Sequence, residues 1–89
     1  MIRNIKLSNE AQKTLERLDR ITEARILKRL RALAQDPFNP RLPKRLIGAG
    51  NLRSSRVGDW RILFVVDGDG ETLFVVAIRP RGQAYRRLD

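Results

Sequence analysis

Arg53-Ser54-Ser55-Arg56-Val57-Gly58-Asp59-Trp60-Arg61-Ile62-Leu63-Phe64-Val65-Val66 is the stretch on which the fold turns. Two β-type runs meet at Gly58-Asp59, which is short enough for a tight hairpin turn, although Asp-Gly is the commoner order. The same stretch holds the densest apolar segment of the chain and the arginines at positions 53, 56 and 61. A two-residue turn sets Val57 opposite Trp60 and Arg56 opposite Arg61. Like charges directly opposite each other destabilise a sheet by a few tenths to ~1 kcal/mol. A bound anion offsets that cost. The plainer alternative is that each side chain splays to solvent or pairs with Asp59 or Glu71.

Downstream, Asp67-Gly68-Asp69-Gly70 is a strong turn signal, and Thr72-Leu73-Phe74-Val75-Val76-Ala77-Ile78-Arg79 is a further β run. The runs at 60–66 and 72–78 are almost continuously apolar, which predicts strands covered on both faces or central in a sheet. The alternating Asp67, Asp69 and Glu71 resemble a fragment of a calcium loop. Strands flank them where an EF-hand needs helices, so they read as a hairpin turn. Pro80 ends the strand pairing or places it at an edge.

Upstream, residues 2–7 give an imperfect strand alternation. Ser8 offers an N-cap and Glu10 a negative charge in the first turn, so Ala11, Leu15 and Leu18 predict a helix over 9–18. Asp19 caps a second helix whose apolar stripe is Ile26, Leu27, Leu30, Leu33 and Ala34. Its basic face, Arg25, Lys28, Arg29 and Arg31, is either solvated or in contact with phosphate. Asp36-Pro37 stops it. Residues 37–51, with Pro37, Pro40, Pro43, Gly48 and Gly50, read as a loop in which Leu46 tucks onto the core. The order β-α-α-β-β-β predicts an α+β fold. A two-helix hairpin packs on one face of a mainly antiparallel sheet, leaving the other face free for binding.

With 89 residues, the chain reads as one domain over 1–89. It has no cysteine and no histidine, which excludes a disulfide framework, Cys-based zinc, a serine-type triad and imidazole acid–base work. No signal peptide or spanning segment is visible, so the expected setting is cytosolic, with no membrane contact and no cofactor. The net charge of +9, from 19 basic and 10 acidic residues, implies an anionic partner. Arg79 and Arg81 lie two apart beside the last strand. Tyr85 follows them as a group that stacks on a base, moves a proton or simply anchors the tail.

Lys44-Arg45-Leu46, then Arg56-Val57-Gly58-Asp59-Trp60-Arg61-Ile62, then Ile78-Arg79-Pro80-Arg81 and Tyr85-Arg86 resemble the RelE/ParE superfamily of bacterial and archaeal toxins. The nearest likeness is to the RelE-type mRNA interferases. The resemblance covers nearly the whole chain and implies a cytoplasmic toxin of a type II toxin–antitoxin system, bound by a cognate antitoxin in a hetero-oligomer. It implies ribosome-dependent cleavage of mRNA without metal. In that reaction the 2′-hydroxyl attacks the adjacent phosphate, giving a 2′,3′-cyclic phosphate and a 5′-hydroxyl. By the same resemblance Arg61 and Arg81 are transition-state arginines, Tyr85 stacks or transfers a proton, and Lys44, Arg45 and Arg56 bind phosphate or rRNA. Arg79, beside Arg81, is expected to bind RNA phosphate with them. One departure stands out: many relatives carry histidine immediately before the arginine that Arg81 resembles, and Pro80 stands there. Two other readings therefore stay open, a ParE-like DNA gyrase inhibitor and a degenerate, non-catalytic module that binds antitoxin or nucleic acid.

Overall fold

The computed structural model describes residues 2–39, 41–42, 45–46, 50–68 and 70–83, without the side chains of Arg45, Leu46 and Gln83. The elements are β1 (Asn4–Leu7), α1 (Asn9–Arg17), α2 (Arg20–Gln35), β2 (Arg45–Leu46), β3 (Arg53–Val57), β4 (Trp60–Val66) and β5 (Thr72–Pro80), followed by a 3-10 turn at Arg81–Gln83. The strands form one sheet in the order β1-β5-β4-β3-β2. β1 runs parallel to β5, and the other three pairings are antiparallel. The expected α+β architecture is therefore present. It gains one short strand, β2, inside the segment read as a loop.

Local chemistry sets the helix starts. Ser8 Oγ accepts the Ala11 N–H at 3.0 Å and donates to the carbonyl of Val76, so one side chain caps α1 and fastens it to β5. Asp19 caps α2 through the Thr22 N–H at 3.0 Å. Asp36 Oδ1 meets the Phe38 N–H at 3.3 Å just past the end of α2. The two helices cover one face of the sheet. Ala11 and Leu15 of α1 and Ile26, Leu30 and Leu33 of α2 pack on Val57, Ile62, Phe64, Leu73, Val75 and Ile78. Each large apolar side chain buried there contributes roughly 1.5–3 kcal/mol. Outside this core, Arg53 lies over the exposed Phe38 ring, 4.7 Å from its centroid.

A bulge decides where the last arginine of the sheet goes. Leu63 pairs with Ala77 but Phe64 pairs with Val75, so Val76 is an extra residue in β5. In an uninterrupted strand Arg79 would share a face with Leu73 and Val75 under the helices. The bulge gives that position to Ile78, opposite Ile62, and sets Arg79 opposite Arg61. The opposite face was expected to be free. Over its middle it is not, because Ser54, Leu63 and Ala77 are fully buried there. Among the described residues no helix is long and apolar enough to cross a membrane.

Candidate functional site

The site is organised around the β3–β4 hairpin tip. Gly58 has φ +58°, a conformation that costs glycine nothing, and this makes the tight Gly58-Asp59 turn possible. Val57 then faces Trp60 and Arg56 faces Arg61, as the spacing predicts. Because β5 adds Arg79 opposite Arg61, three arginines form a row across β3, β4 and β5. Like charges opposite each other, as in Arg56–Arg61, oppose folding by a few tenths to ~1 kcal/mol.

The members of the row are held differently. Arg56 is exposed, and its Nε donates to the Gly58 carbonyl at 3.0 Å, curling the side chain over its own turn. Arg61 is half-buried, with its Nε shut off from solvent. Arg79 closes a two-point ion pair with Glu10 in the first turn of α1, at 2.8 and 3.0 Å. That hydrogen bond, with help from the Arg79 charge, holds the Glu10 carboxyl below its usual range despite some opposing burial. Glu10 and Arg79 also line a cleft of about 430 Å³ with Thr14, Leu18, Trp60 and Pro80.

Arg81 joins the tip through its backbone. Its N–H donates to the Asp59 carbonyl at 2.8 Å, directly after the Trp60–Pro80 pair, and its side chain is exposed. The sequence therefore brings Arg56, Arg61, Arg79 and Arg81 to one end of the sheet. Lys44 and Tyr85, and the side chain of Arg45, lie outside the described residues.

Three residues carry roles that sequence reasoning did not assign. Arg29 was read as part of a solvated or phosphate-contacting face. Its Nη1 instead donates to Ser55 Oγ and to the Arg56 carbonyl, both at 2.8 Å, tying α2 to β3 behind the row. Burial, and then the nearby Arg25 charge, lower its pKa from the ordinary arginine value. Its position was a usable signal: it lies three residues after Ile26 and four before Leu33, at the border of the apolar stripe. Arg25 packs its guanidinium against the turn, 3.4 Å from where a Cβ on Gly58 would sit. Glu10 was read only as a helix-start acid. Nothing local in the sequence connects it to a partner 69 residues away.

The sequence model of the family described as ParE toxin of type II toxin–antitoxin system, parDE, matches residues 5–85.

The chain belongs to that toxin family, within the RelE/ParE superfamily.

Solved structures of superfamily members share the fold. The toxin of an archaeal RelE–RelB complex from Pyrococcus horikoshii is 26% identical at a TM-score of 0.75, covering 94% of this chain and 100% of its own. A YoeB/ParE toxin from Agrobacterium tumefaciens is 19% identical at a TM-score of 0.76, covering 86% of this chain and 96% of its own. A chain of the Escherichia coli RelBE toxin–antitoxin complex is 15% identical at 0.75, covering 88% of this chain and 95% of its own. No curated protein sequence matches this one.

Proposed function

We propose that this toxin-family protein is a ribosome-dependent mRNA endonuclease, held inactive by a cognate antitoxin in a hetero-oligomer. The observation that carries the reading is the Arg56–Arg61–Arg79 row with Arg81 anchored beside it. Arginines gathered at one end of a sheet favour an anion such as a phosphodiester. Cleavage forms the 2′-O–P bond and breaks the P–O5′ bond, moving one proton off the 2′-hydroxyl and delivering one to the departing 5′-oxygen. Negative charge builds on the phosphorane oxygens between these events. Fixed guanidinium groups stabilise that charge, and losing one such donor typically costs 10²–10³ in rate, on the order of 3–4 kcal/mol.

In this reading Arg61 and Arg81 face the reacting phosphate, while Arg56, Lys44 and Arg45 hold the flanking backbone. Arg79 is committed to Glu10, whose carboxylate offsets its charge, so it does not grip the phosphate in this reading. With no histidine in the chain, proton transfer falls to Tyr85 or to water bound by an arginine. The antitoxin follows from the family and from superfamily neighbours solved as toxin–antitoxin complexes.

A second reading, inhibition of DNA gyrase, is favoured by one observation: the family model that matches is the ParE one. Expression without antitoxin separates the two when paired with a supercoiling assay on purified protein. The endonuclease reading expects growth arrest that Arg61→Gln and Arg81→Gln relieve, and unimpaired gyrase. Gyrase inhibition at low protein concentration, with both variants still toxic, overturns it. Normal growth on expression points to a non-catalytic module.

A further inference from the structure

A second group of cations sits behind the hairpin tip, away from Arg61 and Arg81. Arg25, Lys28 and Arg29 of α2 and Arg56 of β3 line a cleft of about 430 Å³, floored by Ala32, Leu42, Val57 and Gly58. The described residues lining it include no carboxylate. Arg25, Lys28 and Arg56 are exposed and Arg29 is half-buried. Gathering four cations in so small a space raises the local positive potential and opposes folding, which an anion reverses.

We propose that this cleft is a second phosphate subsite, taking a backbone phosphate of an RNA strand that flanks the one held at the Arg61 and Arg81 side. Its substrate class rests on the RNA reading above. Three observations favour a phosphate over an acidic peptide. The cations converge on one small cleft rather than running along a track. Arg29 is prearranged by its 2.8 Å bonds to Ser55 Oγ and the Arg56 carbonyl, and the Arg25 guanidinium lies beside Gly58. Guanidinium groups fixed in this way match the oxygens of a phosphate and lose little entropy on binding it. Finally, Arg56 belongs both to this cleft and to the arginine row, so a strand crossing the tip places successive phosphates in the two.

Fluorescence anisotropy of a short labelled single-stranded RNA, over a series of KCl concentrations, tests the subsite. The variant pair Arg25→Gln/Lys28→Gln is compared with Arg20→Gln/Arg31→Gln, which removes the same charge from exposed positions of α2 outside the cleft. Thermal melts confirm that both remain folded. The slope of log K against log[KCl] is expected to shrink by about 0.7–1.4 for the cleft pair, with about tenfold weaker binding at moderate salt, and to stay nearly unchanged for the control pair. Equal losses in both pairs, or an unchanged slope in the cleft pair, overturn the subsite while leaving the RNA reading intact. A wild-type protein that binds no RNA overturns both. If the cleft pair loses affinity for a poly-glutamate peptide but not for RNA, the cleft serves an acidic protein partner and the proposal falls.

Discussion

Arg29→Met probes the tie that holds the arginine row from behind. The substitution keeps an unbranched apolar stem and removes the guanidinium donors. Ser55 is fully buried, and Arg29 Nη1 reaches its hydroxyl at 2.8 Å, so the change leaves that oxygen in an apolar setting. A buried polar group left without its partner costs roughly 1–3 kcal/mol. The charge-assisted bond to the Arg56 carbonyl adds about 1 kcal/mol more. Relief of the Arg29 desolvation and of its repulsion with Arg25 offsets part of this. The expected net loss is about 2 kcal/mol, which for a domain of this size lowers Tm by roughly 8–16 °C. Ser55→Ala alone should cost about 1 kcal/mol and the double variant little more than Arg29→Met, a coupling of about 1 kcal/mol. Urea denaturation of the four proteins measures the cycle. A neutral or stabilising Arg29→Met, or additive single effects, refutes the argument that this bond pair organises the tip.

Ser8→Ala removes both the α1 cap and the bond to Val76, and should cost about 1–2 kcal/mol by thermal melt. Gly58→Ala forces a Cβ into φ +58° against Arg25; about 1–2 kcal/mol of stability should be lost, read by urea unfolding. The Glu10–Arg79 pair has a defined pH dependence. The folded carboxyl is held below its unfolded value, so the pair's contribution is complete above that unfolded value and disappears as pH falls through the lower folded one. Glu10→Gln should therefore lower Tm at neutral pH, by an amount worth no more than about 1 kcal/mol because Glu10 is half exposed, with the gap closing in acid.

The hairpin at Gly58-Asp59, the capped helices and the apolar strands were legible because each is encoded by neighbours in sequence. So was the Arg56–Arg61 pairing, which follows from a two-residue turn alone. The bulge at Val76 was not, since Val75-Val76-Ala77-Ile78 is apolar throughout and carries no period to break. Without the bulge, Arg79 cannot be assigned to a face, and its alignment with Arg61 stayed hidden. The Glu10 pairing was hidden for a different reason: it depends on how α1 docks beside β5. Burial of Leu63 and Ala77 agrees with the unbroken apolar runs at 60–66 and 72–78, which indicate strands covered on both faces but not what covers them. Strand β2 has only two residues, too few to leave a signature among prolines and glycines.

On the proposed reading, the arginines around the hairpin tip cut message on the ribosome. Primer extension on mRNA from a translating extract tests it directly, with the wild-type protein, Arg61→Gln and Arg81→Gln compared with and without ribosomes. The expected result is in-frame cuts that require ribosomes, leave 5′-hydroxyl ends and fall by about 10²-fold or more in either variant. Intact message with the wild-type protein, or cuts that both variants make equally well, contradicts it.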